Sequence, residues 1–229
     1  YDLNPFAVVK NNSHLDPFFD TVLPESEKAT LNLNEDIDFA DMLLLSVPTK
    51  AVRSVLKEIN ALLNKKMTFI NVSKGIEPET LKRVSEIVEE EISPEYLQGF
   101  VVLTGPSHAE EVIIRKLTLL VSSSKDEKLA KKVQQIFSND QYLRVYTSTD
   151  LIGCEFGGAV KNAIAVISGA CTGMGLGENA RAAFRLRVSA VGPREMIRLR
   201  VEFHRFLMAL SVRPGRCLAI SAHLLPNSP

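Results

Sequence analysis

Residues 40–73, ADMLLLSVPTKAVRSVLKEINALLNKKMTFINVS, switch hydrophobic period twice within one stretch. ADMLLLSVP (40–48) is a short apolar run stopped by proline, which reads as a buried strand. KAVRSVLKEINALL (50–63) places apolar residues at 52, 55, 56, 59, 62 and 63, one face of a helix. MTFINVS (67–73) returns to a strand pattern. The alternation continues downstream. PETLKRVSEIVEEEI (78–92) predicts a helix with Pro78 near its first turn, and FVVLTGP (100–106) a third buried strand. LTLLVSS (117–123) and YLRVYTS (142–148) predict two more strands, with the helix DEKLAKKVQQIF (126–137) between them. Apolar strands alternating with amphipathic helices imply a parallel sheet covered on both faces, a doubly wound α/β domain over residues 1–149. From Asp150 the strand signal stops, and an all-helical second domain is expected over 150–229. The first 36 residues, rich in Asn, Asp and Pro, predict a loop or a short helix with irregular flanks.

The chain has 229 residues, 45% hydrophobic and 24% charged, ordinary values for a globular protein. Its net charge of zero removes any overall electrostatic case for nucleic acid or membrane. The average hides a split. Residues 1–161 hold 14 Lys, 4 Arg and 24 acidic residues, a net of −6. Residues 162–229 hold no Lys, 9 Arg and 3 acidic residues, a net of +6. Cys154, Cys171 and Cys217 are widely spaced, without CxxC or a histidine at metal spacing, and read as reduced, buried thiols of an intracellular protein. Residues 153–177 read as too glycine-rich and too polar to span a bilayer, and no signal segment opens the sequence, which starts with Tyr. A soluble cytoplasmic protein is expected.

In open α/β sheets, ligands bind beyond the carboxyl ends of the strands. The first three strand ends carry SVPTK (46–50), VSKGI (72–76) and TGPSHAEE (104–111). A Lys–Gly pair can bring an ammonium and a close backbone approach to an anion. Gly–Pro–Ser fixes a tight turn, offers a hydroxyl and starts a helix whose free N–H groups favour negative charge. For SKG, a turn with a solvated lysine is the competing reading. The three loops together predict one anionic-ligand cleft at one edge of the sheet. No GxGxxG follows any strand, and TGMGLGE (172–178) has the wrong spacing in a helical context. In a dinucleotide-binding fold the first strand and phosphate loop would then lie upstream of Tyr1, with Asp2 a weak candidate for the ribose. Lys161 is the single cation in the run 153–177, and its neighbours one turn away are Gly157, Gly158, Ile164 and Ala165. An ammonium taken out of water is costly unless it is paired or its pKa falls. A solvated lysine is the alternative.

In this order, these residues resemble the NAD(P)-dependent glycerol-3-phosphate dehydrogenases. The family's motifs stand here as Val47-Pro48, Ser73-Lys74-Gly75, Gly105-Pro106-Ser107-His108-Ala109-Glu110-Glu111, Asp150 through Asn162, and Gly175-Leu176-Gly177-Glu178-Asn179, spanning roughly residues 35–183. A lysine followed directly by asparagine after a glycine pair separates them from the related hydroxyacid dehydrogenases. The resemblance implies a Rossmann-like doubly wound parallel sheet, its first strand missing, followed by a truncated helical substrate domain. It implies an oxidoreductase interconverting sn-glycerol 3-phosphate and dihydroxyacetone phosphate with NAD or NADP, linking carbohydrate metabolism to glycerophospholipid synthesis.

By the same resemblance Lys161 is catalytic, giving and taking the proton while hydride moves between nicotinamide and substrate. For this it must sit dry beside a second cation, Lys74, which serves both substrate and cofactor. Gly105, Ser107 and Asn162 resemble substrate contacts, a buried structural amide being the other reading of Asn162. Val47, Pro48 and Ala109 resemble cofactor contacts. His108 reads as structural, and no residue reads as a metal ligand. The implied partner is a phosphorylated small molecule, not nucleic acid or a stable membrane surface, with room for a homodimer.

The pattern breaks at both ends. The family's amino-terminal glycine loop is absent, and after Ala183 the pattern dissolves, FRLRVSAVG (184–192) matching nothing and PREMIRLRVEF (193–203) only in part. The adjacent arginine and asparagine that grip substrate phosphate and cofactor have no counterpart. A truncated or frame-shifted sequence is therefore expected, with negligible activity and weak nucleotide binding as it stands. Two alternatives follow: an inactive fragment, or a related dehydrogenase of non-phosphorylated hydroxyacids. Residues 194–210 place Met196, Leu199, Phe203, Phe206, Leu207 and Leu210 on one helical face. Core packing is the favoured reading of that face, and a membrane or partner surface the other.

Overall fold

A computed structural model describes residues 29–179 and Ala182. Asp2, residues 184–192 and the amphipathic stretch 194–210 lie outside the described residues. The chain divides into two compact units at Lys161/Asn162, inside one long helix and at the seam in Lys and Arg usage.

The first unit is a five-stranded sheet with helices on both faces. The helices are α1 (Leu33–Phe39), α2 (Thr49–Leu62), α3 (Val84–Glu91), α4 (Ala109–Ile113), α5 (Glu127–Phe137) and the first part of α6 (Leu151–Gly173), which runs on into the second unit. The strands are β1 (Met42–Leu45), β2 (Met67–Asn71), β3 (Leu97–Thr104), β4 (Thr118–Ser123) and β5 (Leu143–Ser148), hydrogen-bonded in that order. On one face Phe69, Phe100 and Val102 pack with Val52, Leu56 and Ile59 of α2, Ile87 and Val88 of α3, and Leu151 of α6. On the other face Ile70, Val101, Leu103, Leu120 and Val145 meet Val133 of α5. Positions 52, 56 and 59 are the helical stripe read from the sequence.

The α/β, Rossmann-like class stands, with one strand pair differing from an all-parallel sheet. β1–β2, β2–β3 and β4–β5 are parallel, whereas β3–β4 is antiparallel with Val102 opposite Ser123. A parallel return needs a crossover of about a dozen residues or more, usually through a full helix. Residues 105–117 are spent on a turn, the five-residue α4 and a second turn at Arg115 (φ 61°), so the chain re-enters the sheet from the same end. β5 follows β4 and ends with Ser148 level with Ser123 and Val102. α6 then turns back along the sheet face toward the carboxyl ends of β1–β3, Gly158 lying beside Thr104.

Two further expectations change. The helix expected from Pro78 begins at Val84, because residues 77–82 form a closed turn. Its bonds are Leu81 N–H to Glu77 C=O at 2.9 Å and Glu77 N–H to Lys82 C=O at 2.9 Å, with Leu81 at φ 59°. The sequence reading also took 153–177 as unable to span a bilayer. Helix α6 is long and apolar enough to do so by length and composition alone, with a mean hydropathy of 1.3 over its most apolar window. Its first part is nevertheless anchored on the core, with Leu151, Glu155 and Phe156 buried. Among the described residues the thiols are Cys171, buried, and Cys154, half-buried, both free, while Cys217 lies outside them.

The 77–82 turn is held by an ionic cluster. Arg53 on α2 donates to both Glu77 oxygens (2.8 and 2.7 Å), to Glu91, and to Glu90 at 3.0 Å, while Thr80 donates to Glu77. The Arg53 guanidinium holds the buried Glu77 carboxyl down at about 2, from an ordinary 4.5. Because the folded value is depressed, this stabilisation is complete above about pH 4.5 and lost as pH falls toward 2. Glu77→Gln leaves Arg53 with Glu90 and Glu91. It should lower the melting temperature by roughly 4–8 °C at neutral pH, from a loss of about 2 kcal/mol. Thermal melts across pH 2–5 should show a shallower acid slope in the variant than in the parent. An unchanged slope would remove Glu77 from the account.

Candidate functional site

The carboxyl ends of β1, β2 and β3 lie side by side, and hydrogen bonds tie their loops together. Buried Asn71 ends β2 and clamps the next turn, its amide donating to the Ser73 C=O (3.0 Å) and accepting from the Ser73 N–H (3.1 Å). The Ser73 hydroxyl donates to the Val47 C=O at 2.5 Å, joining the second loop to the first. Thr49 Oγ1, beside Pro48 at the start of α2, donates to the Lys74 C=O at 3.3 Å. Gly75 follows at φ +141°, where a Cβ would stand 2.8 Å from Thr49 Oγ1. The third loop joins through one carbonyl. Lys74 Nζ and Ser107 Oγ both donate to the Gly105 C=O, each at 3.4 Å. Gly105 itself sits at φ +155°, and a Cβ there would lie 2.5 Å from the Leu119 C=O. The single edge expected from SVPTK, VSKGI and TGPSH is therefore the one observed.

Helix α6 brings the second lysine. Gly158 sits against Thr104 and the Lys74 stem, its absent Cβ 3.3 Å from Thr104 Oγ1 and 3.8 Å from Lys74 Cγ. Lys161 follows one turn later, close enough for its charge to act on the Lys74 ammonium. Partial burial, then the Lys161 ammonium beside it, hold the Lys74 ammonium below the ordinary lysine value of 10.5. Both side chains are exposed, which corrects the expectation of a dry Lys161: α6 turns Leu151, Glu155 and Phe156 inward and leaves Lys161 facing out.

The remaining candidates are less connected. Ala109 is the first residue of α4 and His108 its N-cap, exposed and without a side-chain cap bond. α4 has only five residues, too short for a strong helix-terminus anion site. Asn162 follows Lys161 in α6 and falls in the second unit. Among the described residues no cluster of His, Cys, Asp and Glu could hold a metal ion.

Asn71 and Glu155 line this region without being candidates from the sequence, beside Thr104 of the third loop and Gly158, the small neighbour of Lys161. With Ser73, Lys74 and others they surround a recess of about 10 Å³, the smallest space that holds a water. Glu155 is an acid in the same small, apolar run as Lys161, but nothing in that run points to its partners Ser85 and Arg83.

Comparison with known proteins gives a consistent family match. The model of the NAD-dependent glycerol-3-phosphate dehydrogenase N-terminus matches residues 6–130, and that of the C-terminus residues 150–212. This corrects the limits drawn from motifs, since the match begins at residue 6 and continues past Ala183 to residue 212. A glycerol-3-phosphate dehydrogenase [NAD(P)+] of Acholeplasma laidlawii is 60% identical over 203 residues, 89% of this chain and 60% of that protein. One of Staphylococcus epidermidis is 51% identical over 179 residues, 77% of this chain and 54% of that protein. The crystal structure of glycerol-3-phosphate dehydrogenase from Coxiella burnetii superposes with a TM-score of 0.67 at 30% identity, over 86% of this chain and 58% of that one. The chain thus spans somewhat more than half the length of these relatives.

Proposed function

The chain belongs to the NAD-dependent glycerol-3-phosphate dehydrogenase family, and from that premise we propose that it serves an oxidoreductase interconverting sn-glycerol 3-phosphate and dihydroxyacetone phosphate. The observation that carries this reading is the meeting of Lys74 and Lys161 at the carboxyl ends of β1–β3. Two ammonium groups and the Ser107 hydroxyl at one edge suit a substrate with an anionic phosphate and a polarised carbonyl. The recess beneath them is far too small for such a molecule, so substrate would lie over the strand ends and not inside the sheet.

Lys161 donates a hydrogen bond to the substrate carbonyl oxygen and delivers the proton that the forming alkoxide needs. In the oxidative direction it takes that proton back. Lys74, held by the Gly105 carbonyl, adds a second positive charge where the oxygen becomes negative. Gly105, Ser107 and Asn162 contact substrate in this reading, while Val47, Pro48, Lys74 and Ala109 take the cofactor. The donor set fits NAD or NADP at its nicotinamide end: β1–β3 open side by side there, with cations for the adjoining charge. When bound, that cofactor supplies the hydride. The proposed compartment is the cytoplasm, and the proposed partner a phosphorylated small molecule.

The test uses a full-length family protein carrying residues 1–229. Oxidation of NADH or NADPH should depend on dihydroxyacetone phosphate and be lost with unphosphorylated dihydroxyacetone. Turnover of a non-phosphorylated hydroxyacid pair in its place would favour the related dehydrogenases and sink the reading.

A further inference from the structure

We propose that Glu155 is the positioning residue of the two-lysine site: its carboxylate, tied to the start of α3, fixes the turn of α6 against which Lys74 lies and from which Lys161 projects. The inference rests on reading Lys74 and Lys161 as one site.

Glu155 is 8% exposed. One oxygen accepts from the Ser85 N–H at 2.8 Å; the other accepts from Ser85 Oγ at 2.6 Å and from Arg83 Nη1 at 2.9 Å. Burial pushes this carboxyl up, against the two Ser85 bonds and the Arg83 charge that favour its ionised form. A buried carboxylate is a costly way to fasten a helix, because an apolar side chain of similar size often serves as well or better for stability. What it adds is direction. Three donors from two residues at the start of α3, one backbone N–H and two side-chain groups, fix both the rotation of α6 and its position along its axis. Gly158 neighbours Glu155 on the helix surface and Lys161 neighbours Gly158, so the line from 155 to 161 winds from the buried side of α6 to its exposed side. A small rotation at Glu155 therefore moves Gly158 off the Lys74 stem and carries Lys161 away from Lys74. Glu155, Gly158 and Lys74 also share the walls of the one-water recess, which leaves little slack between them.

The experiment needs no substrate, so a failure of the dehydrogenase reading and a failure of this inference are separable. Residues 1–229 are labelled with trace acetic anhydride from pH 7 to 11, and modification of Lys74 is compared with that of exposed Lys128 by peptide mass spectrometry. Glu155→Gln should reduce Lys74 labelling near pH 8 by roughly three- to tenfold, since each unit of upward movement in its titration cuts the neutral amine about tenfold. Ser85→Ala should act in the same direction to a smaller extent. Gly158→Ala crowds Thr104 Oγ1, which its Cβ would meet at 3.3 Å, beside the Lys74 stem, while improving helix propensity. It should alter Lys74 labelling without lowering the melting temperature. A purely structural Glu155 gives a different pattern, with lower melting temperatures in Glu155→Gln and Ser85→Ala and an unchanged Lys74 profile. That pattern overturns the proposal. If Glu155→Gln fails to fold, Ser85→Ala decides alone.

Discussion

Lys161→Ala, in a full-length family protein carrying this chain, lowers kcat by about 10²–10⁴, the contribution of a positioned acid–base group. The loss falls on chemistry because the forming alkoxide then has no proton donor at hand. Stability should hardly change. Lys161 is exposed within the first unit, and exposed substitutions stay within about 0.5 kcal/mol. Lys161→Arg restores little, since a guanidinium keeps its proton across the working range and has a different shape. A structural lysine would give the reverse result, a lower melting temperature with kcat within a few fold. Steady-state kinetics and thermal melts on the two variants separate the outcomes.

Lys74→Ala is the second large effect. Removing one preorganised charge at a developing oxyanion costs on the order of 10²–10³ in rate, so kcat/KM for dihydroxyacetone phosphate should fall by that much. The pH dependence carries the signature of the pair. Lys74 is held below 10.5 by burial and then by Lys161, so its positive charge is lost as pH rises through that lowered value. Activity that needs the charge should decline on the alkaline side earlier than an ordinary lysine would dictate. In Lys161→Ala the second cause disappears, and the titration of Lys74 should move up toward 10.5. An alkaline limb in the parent that sits at the ordinary lysine value would remove Lys74 from the essential groups.

Much of this arrangement is legible in the sequence because the two hydrophobic periods are clean. The stripe at Val52, Leu56 and Ile59 and the apolar runs of β2 and β3 leave little choice of element. Strand direction is another matter, because periodicity does not encode it. The reversal at β4 depends on how residues 105–117 are spent, on α4 and on two turns. The start of α3 was misplaced for a local reason: Glu77, Thr80 and Leu81 close a turn that takes up the residues after Pro78. At the site, Lys161 stood out as a cation among small residues, and Lys74 as part of a strand-end Lys–Gly pair. The role of Glu155 is not legible, because its partners, Ser85 and Arg83, lie some seventy positions upstream. No local pattern announces such a pairing. The exposure of Lys161 was equally hidden, since small neighbours on a helix describe its surface but not which side meets the core.

On the proposed reading, Lys74 and Lys161 receive one phosphorylated carbonyl substrate at the strand ends. Substrate protection tests it most directly. The full-length protein carrying this chain is acetylated with and without dihydroxyacetone phosphate, in the presence of the oxidised cofactor to prevent turnover. Dihydroxyacetone phosphate should slow modification of Lys74 and Lys161 together, while exposed Lys128 and Lys131 react as before. Equal reaction of Lys74 and Lys161 with and without the substrate would contradict it.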